Sequence, residues 1–290
     1  MDGERLDALL ARAERVLERL EGVFPAPAPA PDWQAAVAFR WRRRDGRGWL
    51  EPVAHPHRIG LDALIGIERQ KAELDRNVRQ FVAGLPANHM LLSGARGTGK
   101  SSLVKALLHE HADDGLRLIE VDGAHLFDLP DIVAPLYDRP ELFLVFSDDL
   151  SFEGDDPSYK ALKSVLEGSV SAAPENVLIG ATSNRRHLMP EYMSENREAR
   201  HVEGELHPGE ATEEKVSLSE RFGLWVSFQP FDQTQYLEVV AHWLRRLGVT
   251  TPPESLHQEA IRWAQARGSR SGRVAYQFAR DRAGREGLGA

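Results

Sequence analysis

Gly94-Ala95-Arg96-Gly97-Thr98-Gly99-Lys100-Ser101 matches the pattern G-x-x-x-x-G-K-[ST] at every fixed position. It follows the apolar run His89-Met90-Leu91-Leu92-Ser93 and precedes Ser102-Leu103-Val104-Lys105-Ala106-Leu107-Leu108, which reads as a helix. That strand–loop–helix context is what the pattern requires. Glycines let backbone N–H groups curl around phosphate oxygens with no Cβ in the way, and the helix N-terminus adds positive dipole. Gly94, Ala95, Arg96, Gly97, Thr98, Gly99, Lys100, Ser101 and Ser102 are therefore expected to hold ATP or ADP. Lys100 is expected at the β- and γ-phosphates and Ser101 on Mg²⁺.

Working outward, four more apolar runs alternate with helical patterns: Leu116–Val121, Leu142–Phe146, Val177–Ala181 and Leu224–Phe228. Near-continuous apolar strands separated by helices predict a parallel sheet covered on both faces. A phosphate loop needs an acid at the end of a neighbouring strand, and Asp148-Asp149 supplies it after Leu142–Ser147. Asp148 is expected to hold magnesium through water, and Asp149 to orient or deprotonate the attacking water. Asn184 ends the next strand, where its amide can reach the γ-phosphate and that water. After Pro230 the strand patterns stop, and residues 233–247, 253–267 and 271–285 read as helices, with Ser271 as an N-cap.

The flanks are less specific. Leu6, Leu9, Leu10, Ala13, Val16, Leu17 and Leu20 give residues 1–22 a helical period, and alternating prolines from Pro25 to Pro31 make a semi-rigid spacer. Residues 32–60 interleave Trp33, Phe39, Trp41 and Trp49 with Arg40, Arg42, Arg43, Arg44 and Arg47. The simpler reading is a small hairpin around Asp45-Gly46 with a solvated basic face; the alternative is a grip on nucleic acid. Residues 185–218 are rich in glutamate, and the spacing of His187, His201 and His207 matches no metal-ligand motif. They read as a polar surface insertion that a protein partner could recognise.

Composition sets the bounds. The 290 residues carry 36 basic against 44 acidic side chains, a net charge of −8, which argues against a globally basic nucleic-acid binder. The absence of cysteine excludes disulfides, thiolate metal sites and a cysteine nucleophile. No run of about 18 apolar residues exists to span a membrane. The acidic, amphipathic start MDGERLDALL is no secretory signal, so the expected compartment is the cytoplasm.

Over residues 61–285 the order of these pieces resembles the AAA+ ATPases. Leu64-Ile65-Gly66-Ile67 resembles the segment that packs on adenine, which puts Ile65 and Gly66 in the nucleotide set. Gly94–Ser101 resembles Walker A, Leu142–Asp149 Walker B, and Asn184 the first sensor. Ser219-Glu220-Arg221-Phe222-Gly223 resembles the arginine-finger segment, and Ser271-Gly272-Arg273 the second sensor. The resemblance implies that Arg221 reaches a neighbour's phosphate in a homo-oligomeric ring or filament, and that Arg273, with Arg270 as its alternative, meets the nucleotide of its own chain. Ala181–Leu188, Pro190-Glu191-Tyr192-Met193 and Leu218–Phe231 look more closely like the bacterial domain-of-unknown-function 815 family of ATP-binding proteins.

The expected fold is a three-layer α/β/α P-loop NTPase of AAA+ type, with a five-stranded parallel sheet and a C-terminal helical lid. The expected organisation is an N-terminal helix and Pro/Ala linker (1–31), a Trp/Arg-rich segment (32–60), an ATP-binding core (61–230, insertion 185–218) and the lid (231–290). Two departures from the family pattern bear on function. Asp149 stands where AAA+ proteins usually have glutamate, and misplacing a base by about 1 Å can cost roughly a hundredfold in rate. Gly123–Asp128 lacks the aromatic–hydrophobic–glycine pore loop of protein-threading machines. The expected activity is Mg-dependent ATP hydrolysis that drives a conformational change on a protein or nucleic-acid partner. The alternative is a nucleotide-gated binding module with slow or no turnover. A small-molecule kinase is disfavoured, since finger and lid elements stand where an acceptor pocket is needed.

Overall fold

A computed structural model of the chain describes residues 9–16, 30–152, 157–167, 174–184, 200–202, 205–207 and 221–289. The chain divides into two compact units, Met1–Asp32 and Trp33–Ala290. In the first, residues 9–16 are helical (α1), with Leu9, Leu10 and Val16 exposed. Residues 1–8 and 17–29, the rest of the expected helix and most of the spacer, lie outside the described residues.

The second unit is built on a seven-stranded sheet. Its strands are β1 (Ala38–Arg44), β2 (Arg47–Pro52), β3 (Met90–Gly94), β4 (Leu116–Glu120), β5 (Leu142–Ser147), β6 (Val177–Ser183) and β9 (Leu224–Phe228). Their order is β2-β1-β4-β5-β6-β3-β9, parallel throughout except for the β1–β2 hairpin. The two remaining strands, β7 (Arg200–Val202) and β8 (Glu205–His207), pair antiparallel within the insertion; most of 185–218 lies outside the described residues.

Alternation along each strand divides the core into two layers. Met90 and Leu92 of β3, with Leu144 and Phe146 of β5, face the layer formed by α2 (Glu68–Val82), α3 (Lys100–His111) and the C-terminal helices. Leu91, Phe143 and Val145 face the opposite layer, where α4 (Leu129–Val133) and α5 (Pro157–Glu167) pack. This is the expected three-layer α/β/α architecture.

The expected five strands are all present, and the sheet is wider than expected by the hairpin. Residues 33–52 are part of the core, not a separate segment. Trp33, Phe39, Trp41 and Leu50 are buried in the second layer, and β1 runs parallel to β4 with Arg40 opposite Glu120. Buried Asp128 fastens the hairpin by accepting from Trp41 Nε1 at 2.9 Å and pairing with Arg43. The arginines of the solvent face are taken up by acids: Arg40 by Glu120, Arg42 by Glu51 and Arg44 by Asp45.

Three helices follow β9: α6 (Gln233–Arg246), α7 (His257–Ala266) and α8 (Gly272–Gly287). A capping box between Asp232 and Gln235 opens α6, and a 3-10 turn, Pro253–Leu256, leads into α7. The Tyr236 hydroxyl, buried and pushed up to about 12 by desolvation, donates to the Ala260 carbonyl at 3.2 Å and ties α6 to α7.

Candidate nucleotide site

The strand order brings the carboxyl ends of β5, β6 and β3 side by side, and the crevice beyond strand carboxyl ends is where open α/β sheets bind ligands. A cavity of about 730 Å³ lies there, large enough for a nucleoside triphosphate. Arg96, Gly97, Thr98, Gly99, Lys100, Ser101 and Ser102 line it, joined by Asp148, Asp149, Asn184, Ile65 and Arg273. Residues drawn from five separate stretches of sequence thus converge on one space.

Two glycines are forced by close approach. Gly94 has φ +135°, and a Cβ there would run into the Phe228 carbonyl of β9. Gly97 has φ +76°, and its Cβ would stand 2.8 Å from Ser271 Oγ, at the start of α8. Arg273 N–H donates to the Gly97 carbonyl at 3.3 Å, so the lid's first turn rests on the loop itself. Ser271 caps that turn, its Oγ accepting from Val274 N–H at 3.3 Å.

Lys100 is buried at 5% exposure. Its Nζ donates to the Gly94 and Ala95 carbonyls at 2.8 and 2.9 Å and to Asn184 Oδ1 at 3.0 Å. Burial holds its pKa below the ordinary lysine range; Asp148 and Asp149 oppose that shift, while Arg273 and Arg96 add to it. Ser101 Oγ donates to Asp148 Oδ1 at 2.5 Å, which puts side by side two hard oxygen donors of the kind that would hold Mg²⁺. Among the described residues no three histidine, aspartate or glutamate side chains form a ready-made metal cluster.

Thr182 is the residue that sequence reasoning missed. Its Oγ1 donates to Asp148 Oδ1 at 2.5 Å and accepts from Asp149 N–H at 2.9 Å, fixing both acids from the neighbouring strand. Asp149 has φ +57°, a left-handed conformation uncommon outside glycine, and its carboxylate pairs with Asn184 and with Arg96. Trp243, Arg246 and Tyr276 of the lid, and His57, Arg58 and Lys105, also line the cavity unforeseen.

The expected residues are not all there. Arg270 precedes the Ser271 cap, is exposed and does not line the cavity; Arg273, inside the first turn, does. Gly66 has φ +78° and packs beside Phe231, leaving Ile65 to line the cavity. Arg221 lies before β9, whose first residue pairs with Met90 at the opposite end of β3 from the loop. Five strand residues at about 3.3 Å each put it roughly 16 Å from the site. There it forms an ion pair with Glu167.

Residues 34–286 match the family described as "Protein of unknown function (DUF815)". The chain belongs to the DUF815 family. This DUF815 protein also shares its fold with Thermotoga maritima RuvB, described as a Holliday junction branch migration motor, at 15% identity and TM-score 0.50. Two variants of that RuvB align at TM-scores 0.52 and 0.53, with 15% and 14% identity. Each alignment covers 76% of the DUF815 chain and 63% of RuvB. At such identity the likeness carries the AAA+ P-loop fold. No curated protein matches the sequence. Among the described residues no helix is long and apolar enough to cross a membrane.

Proposed function

We propose that this protein binds Mg-ATP in the cavity between the phosphate loop and the lid, and hydrolyses it. The observation that carries the reading is the convergence of Lys100, Ser101, Asp148, Asp149 and Asn184 on one cavity, joined by direct hydrogen bonds. Lys100 and the loop N–H groups hold the phosphates, Ser101 and Asp148 hold the metal, and Asp149 with Asn184 positions the water. Ile65 and the lid residues Trp243 and Tyr276 supply an apolar wall for the base. The lid contact at Gly97 gives the bound state a mechanical consequence, because phosphates that shift the loop also shift α8.

Arg221 fits a finger acting in trans, since it lies too far from its own loop and heads a strand at the sheet edge. The assembly is then head-to-tail, a ring or a filament. The task is work on a protein or nucleic-acid partner in the cytoplasm. The acid-paired Trp/Arg hairpin favours the protein. A nucleotide-gated binder with slow turnover is the second reading, favoured by Asp149 in place of the longer glutamate. ATP hydrolysis measured against enzyme concentration, with and without single-stranded and duplex DNA, separates these readings. Turnover per subunit rising with concentration supports the assembled ATPase. A flat rate near zero with tight binding supports the gated binder.

A further inference from the structure

The third residue of the phosphate loop is an arginine, and the loop's chemistry does not require one. A glycine-rich cradle works through backbone N–H groups and one lysine. Arg96 adds a second cation whose side chain is 76% exposed and lines the nucleotide cavity. Its Nη2 lies 3.4 Å from Asp149 Oδ2, on the carboxylate positioned to receive the water's proton. Among the described residues this is the one hydrogen bond its guanidinium makes.

Three observations locate its target. Arg96 sits between Gly94, whose carbonyl anchors Lys100, and Gly97, whose carbonyl anchors the lid, so its backbone is fixed on both sides. Arg96 and Asp149 line the same cavity as Lys100 and Asn184, and Asn184 bridges Lys100 to Asp149. Asp149 is held at its backbone N–H by Thr182 and at its carboxylate by the Asn184 amide, contacts that oppose its following an arginine that turns away. A dianionic γ-phosphate entering beside Lys100 therefore competes with Asp149 for Arg96.

We propose that Arg96 is a γ-phosphate ligand acting in cis, and that its ion pair with Asp149 is the contact the γ-phosphate displaces. The substrate class this selects is the nucleoside triphosphate over the diphosphate, because only the triphosphate presents the competing charge. Displacement does two things at once. It places a planar two-pronged donor on oxygens that gain charge in the transition state, and it frees the Asp149 carboxylate for water. In the step that follows, the water oxygen bonds to the γ-phosphorus as the bond to the β–γ bridging oxygen breaks. ADP leaves with that electron pair, and the water proton passes to Asp149. Arg273 lines the same cavity from the lid, while Arg221 is paired with Glu167 at the far end of the sheet.

This inference rests on the Mg-ATP reading, and the test keeps the two apart. Titration calorimetry of the full chain and its Arg96→Gln variant with Mg-ADP and with a non-hydrolysable Mg-ATP analogue gives the affinities. Steady-state hydrolysis gives kcat and KM. The expected result is ADP affinity within about twofold of the parent, analogue affinity about tenfold weaker, and kcat about a hundredfold lower. Arg96→Lys keeps the charge without the fork and should fall between. Mixing Arg96→Gln with Lys100→Ala should not restore activity, because both defects belong to the same chain's site. Equal analogue affinity with unchanged kcat overturns the proposal, as does faster turnover, which would make Arg96 a brake on Asp149. Rescue on mixing would place Arg96 on the neighbour's nucleotide and likewise overturn it. The ADP arm reports folding and binding independently: a parent that binds neither nucleotide defeats the Mg-ATP reading itself.

Discussion

Thr182→Val is the substitution that most sharply separates the site's support from its chemistry. Valine has nearly the same volume and branching, so the 2%-exposed position stays filled and only the hydroxyl is lost. That hydroxyl makes two bonds, to Asp148 Oδ1 at 2.5 Å and from Asp149 N–H at 2.9 Å. A part-buried N–H without an acceptor costs about 1–3 kcal/mol, and a hydrogen bond to a carboxylate about 1.5–3 kcal/mol. The two share one hydroxyl and do not add, and exposed Asp148 can recruit water in its place. A loss of about 2 kcal/mol follows, a drop of roughly 3 °C in Tm for a chain of this size. The effect on binding has a different signature. Thr182 orients the acid opposite Ser101, and removing such support typically weakens a metal site about 10–100-fold. Calorimetry should therefore show Mg-ATP affinity down by at least tenfold, nucleotide affinity in EDTA unchanged, and both losses recovered by Thr182→Ser. A valine variant that melts within 1 °C of the parent and binds Mg-ATP equally would mean that the Thr182 hydroxyl does not position the two acids.

Asp149→Asn should keep Mg-ATP binding within about threefold and lose turnover by about a hundredfold or more in a steady-state assay; Asp149→Glu, which restores the longer acid, should turn over at a different rate from the parent. Arg221→Ala should bind ATP normally and lose turnover, and mixing it with Lys100→Ala should return part of the activity; linear dependence on concentration without rescue would remove the finger. Gly97→Ala places a Cβ 2.8 Å from Ser271 Oγ at φ +76°, so it should loosen α8 from the loop and weaken nucleotide binding at least tenfold, read by calorimetry and by hydrogen exchange of Val274. His89 is lowered to about 4 by burial, and its Nδ1 accepts from Ile179 N–H at 3.0 Å. The unfolded chain thus takes up the proton first as pH falls, and stability is lost from about pH 6.5 down to about 4. This group alone should remove about 2 kcal/mol between pH 7 and 5 in chemical denaturation, and His89→Asn, which keeps an acceptor for Ile179, should flatten that slope.

The legible parts of the fold share one property: their physics is local. Gly94–Ser101 identifies itself because the cradle needs glycine, lysine and serine at fixed spacing. β3, β4, β5, β6 and β9 were readable because strands covered on both faces are continuous apolar runs. The hairpin was not readable as part of the sheet. Trp41 alternates with arginines as a surface strand would, and the partner that buries it, Asp128, lies 87 residues away. Arg273 and its alternative Arg270 lie three residues apart on either side of Ser271, which already reads as an N-cap in the sequence. The Ser271 cap separates them, leaving Arg270 outside the helix and putting Arg273 in its first turn. Thr182 left a weak signal, a polar residue closing an apolar strand beside Ser183 and Asn184. Trp243, Tyr276 and Lys105 left none, because their convergence on the cavity is set by tertiary packing between stretches far apart in sequence.

Titration of Mg-ATP into the 290-residue chain and into its Lys100→Ala variant tests nucleotide binding at this cavity directly. Lys100 is buried against the loop's own carbonyls and is the cation the cradle cannot replace. Saturable binding at one site per chain is expected for the parent and none at the same concentrations for the variant, with both proteins melting as folded chains. Equal affinity in the two, or a folded parent that takes up no nucleotide, would contradict the Mg-ATP reading.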